Sequence, residues 1–219
     1  KMNKLVKTAY ANIYIKPTFK SEMINQSLYY DKVKILDKYD DWCMIKGYDG
    51  YQGWIHSFYL TDYHKEDYKY QAIENKFSKN KSTILSFGTN LPIIKKVDGK
   101  FKSFNPTVSE EWYLVDNNNF INKRDQIIHF ANQLIGIPYL WGGRSSFGLD
   151  CSGFIQLVLK TSGIPFPRDT SRQICHKGLV EIDLHDALPG DIVFFSDDNS
   201  VCHVGFYCGN NEIIHSSGY

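Results

Sequence analysis

No run in the 219 residues approaches the roughly 20 consecutive apolar residues of a membrane span. The opening KMNKLVKTAY also lacks the apolar stretch of a signal peptide. Neither sign of charge is in excess: 25 basic residues nearly cancel 24 acidic ones, leaving +1. That balance argues against nucleic acid as the partner. Cysteine is sparse and odd in number (Cys43, Cys151, Cys175, Cys202, Cys208), with no CxxC pair and no closely spaced Cys/His set. A disulfide framework and structural zinc are therefore not expected. The segment holding Cys202 and Cys208 reads as one strand running into a turn, an awkward geometry for a bridge. Compartment stays open between cytoplasm and envelope.

What is present is length enough for two or three compact units, and a chain 42% hydrophobic and 15% aromatic. From Thr8 to about Leu60 short β-branched and tyrosine-rich runs (ANIYI, DKVKILDKYD, DWCMIKGY, YQGWIHSFYL) alternate with Gly, Asp and Asn turn signals. A small all-β barrel fits. Its V-x-I-L-x-x-Y-D-D-W-C-M-I-K and G-Y-Q-G-W-I segments resemble the bacterial SH3-like fold. DYHKEDYKY, from Asp62 to Tyr70, reads as a linker. The same rhythm resumes at Gln71 and ends near Asn122, which predicts a second, diverged SH3-like barrel.

At Lys123 the character changes. RDQIIHFANQLIG places Ile127, Ile128, Ala131, Leu134 and Ile135 at helical spacing, with Gly136 and Pro138 as stop signals. A second helix begins at Cys151 or Ser152 and ends at Gly163. Short strands follow over Asp191 to Phe195, Cys202 to Gly209 and Glu212 to Gly218. Helices followed by antiparallel strands make an α+β domain. The predicted division is residues 1–65, 66–122 and 123–219.

The second helix starts on D-C-S-G. Asp150 or its neighbour at the N-cap leaves Cys151 in the first turn, where free backbone N–H groups and the helix dipole favour an anion. A thiol so placed is expected to have a lowered pKa and to be nucleophilic, unlike a cysteine sealed in apolar surroundings. Such a nucleophile needs a base, and the base needs an orienting group. His203 and His215 lie on consecutive predicted strands, whose pairing would bring their side chains together. His203 is read as general base and His215 as the group that sets its tautomer.

PYLWGGRSSFGLDCSGF, PRDTSRQ, LPGDIVFF, HVGFY and IIHSSG occur in this order, and together they strongly resemble the NlpC-type cell-wall cysteine peptidases over Lys123 to Tyr219. The resemblance implies a papain-like catalytic domain that cleaves γ-D-glutamyl bonds of peptidoglycan stem peptides, with Cys151, His203 and His215 at the catalytic places. It further implies Tyr139 beside the nucleophile, helping to hold the oxyanion with a backbone N–H near Cys151. Asp150, Ser152, Arg168 and Asp169 are implied to line the substrate cleft.

The two-barrel layout resembles the γ-D-glutamyl-L-diamino acid endopeptidases of murein peptide recycling. In these the first barrel walls off part of the cleft, and Tyr51 and Glu22 are the residues here placed to meet a free L-Ala amine. A carboxylate set such as Asp150, Asp169 and Glu22 would accept that ammonium only from a stem peptide with a free N-terminus. Peptidoglycan-derived peptides are then the partner, a monomer is favoured, and no metal or organic cofactor is called for. Relatives usually continue past the H-S-S-G strand, whereas this chain stops at Tyr219.

Two rivals stand beside this reading: a hydrolase of intact, cross-linked wall, and a catalytically silent wall-binding module. The remaining cysteines read as structural. His56, His64, His129, His176 and His185 have no partner pattern. Tyr29, Tyr30, Trp42, Trp54, Phe58 and Tyr59 read as barrel core or interdomain packing.

Overall fold

The computed structural model describes residues 2–63, 68–71, 76–77, 84–97, 100–105, 108–112, 120, 122–198 and 200–218. The chain divides into two compact units, Lys1–Asp116 and Asn117–Tyr219.

The first unit is all-β. Strands β1 (Asn3–Val6), β2 (Tyr10–Tyr14), β3 (Met23–Leu28), β4 (Lys32–Tyr39), β5 (Trp42–Lys46), β6 (Gln52–His56) and β7 (Leu60–Asp62) form one antiparallel sheet. Their order is β3-β2-β6-β5-β4-β1-β7. Period-two alternation sends Ala11 and Ile13 of β2 and Val33 and Ile35 of β4 inward, where they meet Val6, Cys43, Ile45, Ile55 and Leu60. Burying each large aliphatic chain here contributes about 1.5–3 kcal/mol.

Of the aromatics expected inside, Tyr29, Tyr30 and Trp42 are buried, and Tyr29 and Tyr30 pack with Leu5 and Leu85. Phe58 instead lies on the surface at 62% exposure, with the Lys7 ammonium 4.9 Å above its ring. It belongs to a single 3-10 turn, Ser57–Tyr59, which buries none of its residues.

The expected linker over Asp62 to Tyr70 is shorter than its composition suggested. Asp62 closes β7, pairing with Lys4 of β1 in register and through a 2.8 Å ion pair, so its charge marks an exposed strand edge. Chain order resumes as strand at β8 (Tyr68–Gln71). Next come β9 (Lys76–Phe77), β10 (Ile84–Leu85), β11 (Asn90–Val97), β12 (Lys100–Asn105) and β13 (Val108–Trp112). β9 and β10 pair with each other, and the rest form a four-stranded antiparallel sheet in the order β13-β12-β11-β8. The segments joining several of these strands, and His64, lie outside the described residues.

In the second unit, α1 (Lys123–Asn132) is capped by Asn122, whose side chain accepts from the Asp125 N–H. Ile127, Phe130 and Ala131 of α1 are buried, and so is Leu134 just beyond it. Ile135, expected on the same face, is 68% exposed. The helix has already ended at Asn132, and Gly136 turns the chain away at φ +86°.

A short hairpin, β14 (Arg144–Ser145) with β15 (Gly148–Leu149), leads into α2 (Cys151–Thr161). This helix is buried along nearly its whole length, and Gly163 at φ +81° follows its C-terminus. After the short α3 (Thr170–Gln173), strands β16 (Ile192–Asp197), β17 (Ser200–Gly209) and β18 (Glu212–Ile214) form an antiparallel sheet. β17 packs against α2, with the Phe154 and Phe206 rings in edge contact at 5.7 Å. That contact sets the histidine-bearing strand against the helix that begins at Cys151.

Candidate active site

The local chemistry of D-C-S-G explains where α2 starts. Asp150 is extended (φ −94°, ψ 175°), and its Oδ1 accepts the Gly153 N–H at 2.7 Å, so it is the N-cap and Cys151 the first helical residue. Gly153 admits no side chain, because a Cβ there would run into the Gly143 carbonyl oxygen and sit 2.9 Å from Asp150 Oδ1.

Asp150, Ser152 and Arg168, expected to line the substrate cleft, form one buried network. The Arg168 guanidinium forks onto the carboxylate, Nη2 to Oδ2 at 2.5 Å and Nη1 to Oδ1 at 2.9 Å. Nη1 also donates to Ser152 Oγ at 2.9 Å and Nη2 to the Gly143 carbonyl at 3.3 Å. The Gly142 N–H donates to Asp150 Oδ2 at 2.9 Å, and Ser152 Oγ to Oδ1 at 3.3 Å. With both oxygens so engaged and 7% of the residue exposed, Asp150 organises the loop and helix start. Asp169 is different: it is half-buried at the N-cap of α3, and its side chain makes no capping bond.

The segment carrying Arg168 and Asp169 is fixed at its other end by Gln173. Its Nε2 donates to the carbonyls of Ser152 at 3.0 Å and Pro167 at 2.9 Å. This places Thr170 beside the nucleophile candidate. The Cys151 sulfur accepts hydrogen bonds from the Thr170 side chain and from the backbone N–H groups of Ser152 and Val204.

The sulfur is not the low-pKa thiol that the helix start alone predicts. Burial pushes it above its ordinary value of 9.0 and the adjacent Asp150 carboxylate adds to this, outweighing the three donors. Conversely His203 is pushed below 6.5, by burial first and by His215 second. Both shifts favour the same resting state, a neutral thiol and a neutral imidazole.

The two histidines are in contact: His203 Nε2 and His215 Nδ1 are 2.7 Å apart, with the rings at 83°. His203 lies on β17 opposite Phe195. His215 lies one residue past β18, which ends at Ile214, earlier than predicted. Ser216 fixes the turn that follows by donating to the Leu149 carbonyl at 2.7 Å, two residues before Cys151. Because Nε2 of His203 is taken by His215, Nδ1 is the nitrogen left to exchange a proton with a thiol.

Tyr139 bridges to Leu149 and lies against Gly218, where a Cβ would sit 3.4 Å from its ring. Glu22 and Tyr51 belong to the first unit. Glu22 is exposed just before β3, its carbonyl accepting from Ile15 N, and Tyr51 precedes β6. Since β3 and β6 both flank β2, the register puts the two residues at the end of the sheet where β2 leaves. Among the described residues, one group of side chains could gather around a metal: Asp183, His185 and Asp186, all exposed and within 4.8 Å of one another on the turn after α3.

The sequence reading missed Thr170 and Ser216. Both stand in stretches it singled out, P-R-D-T and H-S-S-G, yet a hydroxyl's partner is set by how distant segments pack, which spacing does not carry.

Comparison with known proteins agrees with this geometry. Residues 136–219 match the NlpC/P60 family and residues 9–61 the bacterial SH3 domain. A Bacillus cereus protein named gamma-D-glutamyl-L-lysine dipeptidyl-peptidase is 30% identical over 90% of this chain and 68% of its own length. A Bacillus subtilis protein of the same name is 31% identical over 87% of this chain and 71% of its own. The crystal structure of an NlpC/P60 family protein from Bacillus cereus superposes with a TM-score of 0.79 at 23% identity, covering 97% of this chain and 90% of that one. The chain belongs to the NlpC/P60 family of cysteine peptidases.

Proposed function

We propose that this peptidase hydrolyses the γ-D-glutamyl bond to the diamino acid in peptidoglycan stem peptides whose L-Ala amine is free, releasing L-Ala-D-Glu. The observation that carries this reading is the 2.7 Å contact of His203 Nε2 with His215 Nδ1. It leaves Nδ1 as the base for a sulfur held at the start of α2. The names of the two Bacillus relatives, which specify a γ-D-glutamyl-L-lysine bond and a dipeptidyl product, support the substrate class.

In the proposed sequence His203 Nδ1 takes the Cys151 proton as Sγ attacks the γ-carbonyl. Its Nε2–H donates to His215 throughout, which stabilises the imidazolium. The tetrahedral oxyanion is met by a backbone N–H near Cys151 and by Tyr139. On collapse His203 protonates the departing amine of the diamino acid, leaving a thioester. Water, giving its proton to His203, then releases the acid and the thiol is regenerated.

We assign Asp169, Glu22 and Tyr51 to the substrate ammonium, since Asp150 is already occupied by Arg168. We further propose that the functional division of the chain is residues 1–65, 66–122 and 123–219, with the first barrel supplying Glu22 and Tyr51. The test is hydrolysis of L-Ala-γ-D-Glu-L-Lys and of its N-acetylated form. Wild type should cleave only the free-amine peptide and Cys151→Ala should cleave neither. Unchanged turnover in the alanine variant overturns the nucleophile assignment. Equal cleavage of the blocked peptide, or clearing of purified sacculi, overturns the free-amine assignment in favour of a wall hydrolase.

A further inference from the structure

We infer that Thr170 is a further catalytic residue: its hydroxyl donates a hydrogen bond to the Cys151 sulfur and stabilises the thiolate that forms as His203 removes the proton. This rests on the reading of Cys151 as nucleophile. Two rigid attachments hold the hydroxyl where it is. On one side of Thr170, Arg168 is forked onto Asp150 and bonded to Ser152. On the other, Gln173 grips the Ser152 carbonyl. Both therefore attach the Pro167–Gln173 stretch to the two residues that flank Cys151, so the threonine and the sulfur move as one body.

The need for such a donor follows from the surroundings. The sulfur is buried beside a carboxylate, conditions that oppose negative charge. Against them stand two backbone N–H groups, from Ser152 and Val204, and one side chain, that of Thr170. The backbone donors are fixed by the fold, and Thr170 is the one that substitution can remove. A hydrogen bond to an ionised acceptor is stronger than one to the neutral form, so this donor acts mainly after the proton has left the sulfur.

The experiment compares wild type, Thr170→Val, Thr170→Ala and Thr170→Ser by the pH dependence of Cys151 alkylation with iodoacetamide. The modified peptide is followed by mass spectrometry, so that the exposed Cys175 and Cys202 do not contribute. Valine and alanine should each slow alkylation at pH 8 about tenfold and move the limb to higher pH by about one unit. Serine should restore the wild-type profile, and kcat/KM should follow the same order. Val and Ala profiles that superimpose on wild type, or a serine variant that behaves like valine, overturn the inference. These outcomes are separable from failure of the nucleophile assignment, which Cys151→Ala alone decides.

Discussion

Gly205 lies directly beneath His215: a Cβ on residue 205 would come within 3.1 Å of His215 Cβ and 3.1 Å of the Ile214 carbonyl oxygen. The glycine in H-V-G-F-Y thus keeps open the space in which the second histidine stands against the first. Gly205→Ala should displace His215 by a few tenths of an ångström and lengthen its contact with His203. We expect kcat to fall about tenfold, because catalytic geometry is sensitive on this scale, while the chain still folds. Steady-state kinetics beside a thermal melt checks this, and a variant with wild-type kcat would show that the space is not needed.

His203 must be neutral to accept the thiol proton, and its pKa is lowered, by burial chiefly and by His215 next. The acid limb of kcat/KM should therefore fall below pH 6.5, the free-enzyme base being protonated only there. Removing His215 removes the smaller cause and leaves the larger. His215→Asn should then move the limb upward yet keep it below 6.5. His215→Ala, which also deletes the acceptor for Nε2–H, should add a loss in kcat of about a hundredfold. A pH–rate profile for the three proteins decides the matter, and a limb that stays in place on substitution would contradict the electrostatic link.

Much of this was legible in the sequence where one residue's identity forces a local geometry. Asp150 before an apolar run is an N-cap, and Gly163 after it a stop. The spacing of H-V-G-F-Y and I-I-H-S-S-G placed two histidines on neighbouring elements, and the alternation of β2 and β4 was visible in ANIYI and DKVKILDKYD. What was not legible depended on three-dimensional neighbours. The helix start argued for a lowered thiol pKa, but burial and the Asp150 charge, both products of tertiary packing, reverse its sign. Likewise a D-C-S beside an R-D suggested a polar cleft lining, whereas the fork of Arg168 onto Asp150 turns three of those four side chains inward. Phe58 and Ile135 were assigned to interiors on hydrophobicity alone, and each sits at a turn where the periodic face has already ended.

The Arg168 and Asp150 side chains are 2% and 10% exposed, so their pairing is a buried one, and its two members should behave unequally from their sum. Arg168→Met leaves a carboxylate in the interior with only neutral donors, a change that costs about 3–5 kcal/mol in comparable buried pairs. Arg168→Lys should recover little of it, because an ammonium cannot span both carboxylate oxygens and Ser152 at once. Asp150→Asn keeps an acceptor for the Gly153 N–H, since asparagine is an equally good N-cap, but strands the guanidinium. The double variant Asp150→Asn/Arg168→Met removes both charges and should be less destabilised than the two single losses added together, the mark of direct coupling. Urea unfolding of the four proteins measures this. If Arg168→Met lies within about 1 kcal/mol of wild type, or the two losses add, the fork does not hold the helix start. Its attachment of Thr170 to the sulfur would then have to come from Gln173 alone.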